Sequence, residues 1–136
     1  MVLRSLTLIV LSAILGLSSP ACAPKLIPDG WIHLGQAEIT FATTRATVAV
    51  QPDAPAVKRL IIVALVNDID FTSVHVEFES GEPFEHKDRV RISPDRDSIV
   101  LDLPGERRKI REVVVQYQNV RQTARRAEVS VWGDPS

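Results

Sequence analysis

The sequence predicts an all-β protein, an antiparallel β-sandwich with a jelly-roll-like arrangement of about eight strands. Apolar and polar residues alternate repeatedly from Trp31 onward, which is the period of half-buried strands. Segments rich in proline, glycine and aspartate separate the alternating runs, as turns do between short strands. No segment combines a helical apolar period with capping residues at its ends. These three observations together favour two packed sheets over a helical fold.

The N-terminal residues have a different character and predict export. Arg4 precedes a largely apolar run over residues 6–17, and small residues follow the run up to Ala23. This order is typical of a secretory signal peptide, and the run is shorter than the roughly 20 apolar residues of a retained membrane helix. We therefore predict a cleaved signal peptide, a short tether and the sandwich domain at residues 1–21, 22–30 and 31–136.

The single cysteine, Cys22, lies at the end of this signal segment, and two fates are open to it. It stands in an Ala-Cys-Ala sequence that suits signal peptidase, but Pro24 follows, where proline is poorly tolerated. Residues 19–22 also look like a bacterial lipoprotein box, with departures at Ser19 and Pro20. Cys22 is therefore either acylated as the mature N-terminus or discarded with the signal peptide. The predicted location is the periplasm or the outer membrane, or alternatively the outside of the cell.

The alternating runs predict the strands in order along the domain. Their inward-facing residues are Ala46, Val48 and Val50; Val74, Val76 and Phe78; Val90 and Ile92; Ile99, Leu101 and Leu103; Val113, Val115 and Tyr117; and Ala127, Val129 and Val131. The run from residue 60 to residue 66 is apolar without alternation and rich in β-branched residues, which favours a central strand covered on both faces. Residues 81–83, Gly-Glu-Pro, predict a hairpin between two alternating runs.

A second turn follows the strand that ends near Asp102. Pro104 presets φ for the turn and Gly105 accepts a positive φ, so these residues form a scaffold turn. Arg108 returns just after it, where its guanidinium group could bind Asp102 or a carbonyl at the end of the strand. Tyr117 is expected to bury its ring and to donate its hydroxyl hydrogen to a loop.

Composition and charge exclude several classes of protein. A net charge of -1 argues against a general nucleic-acid binder, and one cysteine excludes a disulfide framework and multi-cysteine metal sites. Acidic residues dominate over 68–88 and basic residues over 104–128. We favour mutual neutralisation of these charges across strands, each pair contributing a few tenths of a kcal/mol. The alternative is a patch that binds an anionic partner, formed by Arg107, Arg108, Arg111, Arg121, Arg125 and Arg126.

No residue pattern predicts catalysis or a cofactor. The chain has no Gly-x-Ser-x-Gly motif, no glycine-rich phosphate loop and no metal-binding histidine spacing. Two Asp-x-Asp pairs are the weak candidates for a metal, at Asp68 and Asp70 and at Asp95 and Asp97. We favour ordinary turn aspartates for all four, because aspartate caps turns through its own side chain.

Trp31 and Trp132 are the only candidates for an exposed aromatic surface of the kind that stacks on carbohydrate. The alternative is that these two tryptophans, which lie near opposite ends of the domain, pack against each other.

Four blocks of the sequence resemble the YaaI-like family of small exported proteobacterial proteins of unknown function. They are residues 31–35, 57–60, 99–117 and 127–133. Similar sequences often carry Asp-Arg-Asp before the strand of Val48, where this chain has Thr-Arg-Ala at 44–46, so a role for those acids does not carry over. The resemblance implies an exported β domain and supplies no activity.

Taken together, the sequence predicts an exported, non-catalytic β-sandwich of the cell envelope that acts as a binding or structural module. Its expected partner is an envelope component or a protein, with no nucleic acid, no cofactor and no membrane contact beyond an N-terminal lipid. Two alternatives remain open. One is a calcium-stabilised module, and the other is a hydrolase that uses acidic residues such as Asp95 and Asp97 in a loop cleft.

Overall fold

The structure is a computed structural model, and it describes residues 26–40, 43–118 and 127–136. This part of the chain is all-β and forms two antiparallel sheets that pack face to face, which confirms the predicted sandwich. Its strands are β1 (Ile32–Ile39), β2 (Arg45–Ala49), β3 (Arg59–Ala64), β4 (Ile69–Phe78), β5 (Phe84–His86), β6 (Val90–Ile92), β7 (Ser98–Asp102), β8 (Ile110–Gln118) and β9 (Ala127–Asp134). The predicted signal peptide and Cys22 lie outside the described residues.

The strand order is that of a jelly roll. One sheet, called sheet A here, has the order β1-β9-β3-β7, and the other, sheet B, has the order β2-β8-β4-β5 with β6 also paired to β4. β5 and β6 have three residues each and lie on β4 one after the other, in the place of a single jelly-roll strand. This division explains why nine strands occur where about eight are predicted.

The core lies between the sheets and consists of the inward-facing residues of the alternating strands. Val48, Val76 and Val113 on sheet B are fully buried, as are Leu60 and Val131 on sheet A. Burial of each such side chain stabilises the fold by roughly 1.5–3 kcal/mol. The two-residue alternation therefore identifies the core correctly, because a strand sends successive side chains to opposite faces of its sheet.

β3 departs from alternation because both of its faces are covered. Ile61 and Val63 point away from the main core, yet both are buried in a second, smaller apolar cluster on the outside of sheet A. The other members of this outer cluster are Ile27 and, partly buried, Leu26, Trp31, Leu65 and Trp132. The prediction of a central strand is confirmed for residues 60–64. The strand ends at Ala64, and Val66 is exposed.

The turns between strands show the expected use of glycine. Gly81 in the β4–β5 hairpin has a φ of 92°, and Gly105 in the β7–β8 loop has a φ of 81°. Both angles lie in the left-handed region that only glycine adopts without strain. The described residues include no helix that could span a membrane.

Candidate functional site

Of the four aspartates considered as metal ligands, Asp70 and Asp97 have structural partners, Asp95 lies in a turn, and Asp68 lies in the connection between β3 and β4. Asp70, at the start of β4, accepts a hydrogen bond from Arg91 Nε on β6 over 2.9 Å. Asp97 accepts one from the Ser93 backbone N–H over 3.2 Å and so closes the β6–β7 turn, in which Asp95 has a φ of 64°. Among the described residues, no group of three or more His, Cys, Asp or Glu side chains is placed to hold a metal ion.

The three described members of the predicted basic patch bind three different parts of the molecule. Arg111 on β8 forms an ion pair of 3.1 Å with Glu77 on β4. Arg107 donates to the Pro135 carbonyl over 2.7 Å. Arg108 stacks on an aromatic ring in the β4–β5 region. Arg111 thus shows the cross-strand neutralisation that we favoured, while Arg121, Arg125 and Arg126 lie outside the described residues.

Arg108 supports the β4–β5 hairpin rather than binding Asp102. Its guanidinium carbon lies 3.6 Å from the centre of the Phe78 ring, and Nη1 is 3.5 Å from the Glu82 carbonyl oxygen. Nη1 also fills the space beside Gly81, where a Cβ would lie 2.7 Å from it. The positive charge over a ring face is the arrangement that a cation–π interaction stabilises. Arg108 therefore ties the start of β8 to the hairpin by stacking.

Tyr117 behaves as the sequence predicts. Its ring is buried, and its hydroxyl lies 2.8 Å from Thr43 Oγ1 and 3.3 Å from the Thr40 carbonyl oxygen, to which it donates. Both threonines belong to the β1–β2 connection. The buried phenol thus finds the polar partner that burial of a hydroxyl requires.

The outer face of sheet B carries a network of charged side chains around His75. Nε2 of His75 is 2.6 Å from Glu77 Oε2, and Nδ1 is 3.8 Å from Glu85 Oε1. Glu77 also binds Arg111, and Glu85 lies 3.6 Å from Lys87 Nζ. The two ring nitrogens face different carboxylates, so these groups do not converge on one point. The arrangement is that of a solvated strand face held by ion pairs.

The outer face of sheet A carries a cluster of aromatic and apolar side chains, with Glu38 and Glu128 farther along β1 and β9. Trp132 on β9 donates from Nε1 to Ser130 Oγ over 2.8 Å, which fixes its indole ring. The imidazole of His33 on β1 meets that ring edge to face at 5.0 Å between centroids. Trp31 lies in the same outer cluster, with the Arg59 guanidinium 5.3 Å from its ring centre. We call the surface formed by Trp31, His33, Arg59, Val100 and Trp132 the aromatic face.

An ion pair anchors one end of this face. Arg59 Nε and Nη2 donate to Asp134 Oδ2 over 3.1 and 2.6 Å, while Asp134 Oδ1 accepts bonds from the backbone N–H and the hydroxyl of Ser136. Hydrogen bonds from Ser136 and Arg59 favour the carboxylate and lower the pKa of Asp134 from 3.8 to about 2. The register of β3 and β9, which sequence reasoning did not provide, places Arg59 opposite Asp134.

Three recesses on the described surface were compared with the positions of the predicted acidic pairs. A recess of about 230 Å³ between β4 and β6 is lined by Asp70, Arg89 and Arg91 among others. Two broader recesses, of about 580 and 590 Å³, flank the β7–β8 loop near Arg107. Asp95 and Asp97 line none of these three. The cleft that the hydrolase alternative requires is therefore not found at these recesses.

Comparison with known proteins identifies a family and similar solved structures. A family model described as a domain of unknown function (DUF2541) matches residues 6–133. No curated protein sequence matches the chain. Among solved structures, AlgX of Pseudomonas aeruginosa is similar with a TM-score of 0.45 and 9% sequence identity, over 73% of this chain and 26% of AlgX. The chain thus corresponds to about a quarter of the length of AlgX.

Proposed function

The chain belongs to the DUF2541 family, and we propose that it is an exported, non-catalytic binding module of the cell envelope. One observation carries the proposal. Charged side chains on sheet B and at the turns are engaged in pairs with one another, whereas aromatic and apolar side chains gather on the outside of sheet A. A surface of that kind recognises a partner by contact, since large exposed or half-exposed aromatic groups dominate binding energies.

We further propose that this family is the one that the four sequence blocks resemble, the YaaI-like group of exported proteins. The match of the family model begins at residue 6 and so includes most of the predicted signal segment. The proposal predicts that this segment is removed, with Cys22 either acylated as the new N-terminus or discarded with the segment. Mass spectrometry of the protein produced from the full chain in a bacterium distinguishes these outcomes. A diacylglyceryl increment on Cys22 supports a lipoprotein, a start beyond Cys22 supports a soluble exported protein, and an intact Met1 overturns the cleaved signal peptide.

The ligand that the aromatic face suits best is a carbohydrate polymer of the envelope. The two tryptophans and His33 offer ring surfaces for the apolar faces of sugar rings, and indole groups combine apolar area with a fixed polar edge. Arg59 is bound to Asp134 and contacts the Trp31 ring. Its role in the face is therefore to hold Trp31 in place, because its charge is already paired with that of Asp134. Hydroxyl groups of a sugar would be recognised by the polar residues that border the rings.

Binding to purified peptidoglycan tests this surface. We expect the mature protein to sediment with insoluble sacculi and Trp132→Ala to lower the affinity about tenfold or more, as loss of a central aromatic contact does. His33→Ala and His75→Ala form a matched pair, because both histidines lie on strands but on opposite outer faces. Only His33→Ala should weaken binding. Equal effects of the two variants, or no binding by the wild-type protein, would contradict the proposed ligand.

The non-catalytic character needs its own test. The purified protein is assayed against ester, glycoside and phosphate-ester substrates, and we expect no turnover above the buffer rate. A reproducible turnover that Asp95→Asn or Asp97→Asn abolishes would support the hydrolase alternative over the binding module.

Thermal unfolding with calcium and with chelator tests the calcium-stabilised alternative. An ion bound only by the native state must raise Tm, so a higher Tm in calcium than in chelator would support that alternative.

A further inference from the structure

The two lateral sides of the sandwich protect their edge strands differently. On one side β1 and β2 cross so closely that a Cβ on Gly35 would lie 2.6 Å from the Ala49 carbonyl oxygen. β1 also has a register shift between His33 and Gly35. Close packing and bulges are common devices that prevent an edge strand from pairing with another chain. This side of the molecule is therefore closed.

The opposite side has one regular edge strand. β5 and β6 at the edge of sheet B have three residues each, but β7 at the edge of sheet A has five, without a bulge. Within the described residues β7 pairs only with β3. The central residue of β7 is Val100, which is 54% exposed; Val66, at 41%, is the other exposed large apolar residue among the described residues. An exposed apolar residue in the middle of a flat edge strand favours pairing with another strand.

The hydrogen-bond pattern of β7 shows which backbone groups face this open edge. The Leu103 N–H donates to the Lys58 carbonyl over 2.9 Å, across the β3–β7 pair. Along an antiparallel strand, alternate residues direct their N–H and C=O groups to the same neighbour. Ser98, Val100 and Asp102 therefore direct their backbone groups away from β3.

We propose that β7 pairs with β7 of a second copy of this chain, antiparallel and centred on Val100. A two-fold axis midway between the two Val100 residues sets them opposite each other, where each donates its N–H to the carbonyl of the other. Ser98 of each copy then lies opposite Asp102 of the second copy, so its hydroxyl donates to a carboxylate. The edge is thus complementary to itself, which a two-fold interface requires.

The apolar surface of sheet A is continuous across this pairing. Val100 lies beside Ile61, and Ile61 beside Trp132, in neighbouring strands of the sheet. Pairing joins the two four-stranded sheets into one and covers the exposed Val100 side chains against each other. Opposed β-branched residues are favourable cross-strand pairs. The second copy is favoured over an unrelated strand because all three outward-facing residues of β7 find a suitable partner in it.

Sedimentation velocity of the mature protein, together with variants of β7, tests the proposal. We expect a dimer for the wild-type protein and a dissociation constant about tenfold higher or more for Val100→Lys, which sets two ammonium groups opposite each other. Val66→Lys is the matched control, since it places the same charge at an exposed valine away from the edge. Circular dichroism spectra confirm that each variant is folded.

A charge change at Ser98 tests the register itself. Ser98→Lys sets an ammonium group opposite Asp102 of the second copy and should tighten the dimer about two- to fivefold, whereas Ser98→Asp should weaken it by a similar factor. Opposite shifts of the two variants support the proposed pairing. Three results would overturn it: a wild-type monomer at about 100 µM, equal effects of Val100→Lys and Val66→Lys, or shifts of the two Ser98 variants in the same direction. Binding to peptidoglycan is measured separately, so failure of either proposal is distinguishable.

Discussion

The outer faces of the two sheets differ although both belong to antiparallel strands of one sandwich. Sheet B presents His75, Glu77 and Glu85 to solvent in a network of polar contacts. On sheet A, the outward-facing side chains of Ile61 and Val63 are buried within the outer cluster. An antiparallel sheet needs only one buried face, so the second apolar face of sheet A is an addition to the requirements of the fold. The comparison shows that the outside of sheet A buries apolar side chains that the sandwich core does not account for, which is why the proposed binding surface is placed on sheet A rather than on sheet B.

The largest expected loss in the free energy of unfolding comes from truncating a side chain of the outer cluster. Ile61→Ala should lower the free energy of unfolding by about 2–5 kcal/mol, as removal of buried methyl groups does, and Ile62→Ala in the main core should do the same. Thr47→Ala, at an exposed position of sheet B, should change it by less than about 0.5 kcal/mol. Chemical denaturation of the three variants measures these values. If Ile61→Ala changed the free energy of unfolding as little as Thr47→Ala does, the conclusion that the outer face of sheet A is buried would be wrong.

A smaller, pH-dependent effect is expected at the ion pair that anchors the aromatic face. The pKa of Asp134 is lowered from 3.8 to about 2, so its carboxylate stabilises the folded state fully above the unfolded value. This stabilisation is lost as the pH falls from 3.8 to about 2. The wild-type protein should therefore be more stable than Asp134→Asn at neutral pH, and the difference should shrink over that window. Denaturation curves recorded at several pH values measure it.

A matched variant sharpens the assignment of this pH dependence. Ser136→Ala removes the hydroxyl that donates to Asp134 Oδ1 and leaves Arg59 in place. The loss of stability should still begin near the unfolded value of 3.8, but it should be smaller and complete at a higher pH than in the wild-type protein. A stability difference between wild type and Asp134→Asn that persists unchanged at pH 2 would contradict the lowered pKa.

The smallest loss of stability is expected for removal of an ion pair on sheet B. Arg111→Gln removes an ion pair with Glu77 in which the Arg111 side chain is 62% exposed. Exposed pairs contribute about 0.2–1 kcal/mol, and salt screens them. We therefore expect a small loss of stability at low ionic strength that disappears at high ionic strength. A loss as large as that of Ile61→Ala would show that the network on sheet B is structural rather than solvated.

Several features of the site could not be read from the sequence because they depend on pairing between distant strands. The lack of alternation in β3 indicates that both its faces are covered, but not that Trp31, Trp132 and residues 26–27 cover the outer one. Arg59 and Asp134 meet only through the β3–β9 register. Arg108 was expected to bind Asp102 or a carbonyl at the end of the strand, whereas its guanidinium group lies over the Phe78 ring and 3.5 Å from the Glu82 carbonyl oxygen in the β4–β5 hairpin.

The sequence by itself determines the fold class and the main core of this protein, because the two-residue alternation of buried and exposed side chains is a local property of a strand. Val48, Val74 and Val129 could be assigned to the core on that ground alone. The tertiary structure decided which strands are neighbours, and through them the aromatic face, the anchored Asp134 and the open edge at Val100. Strand order and register arise from packing of the whole domain, so no local pattern contains them.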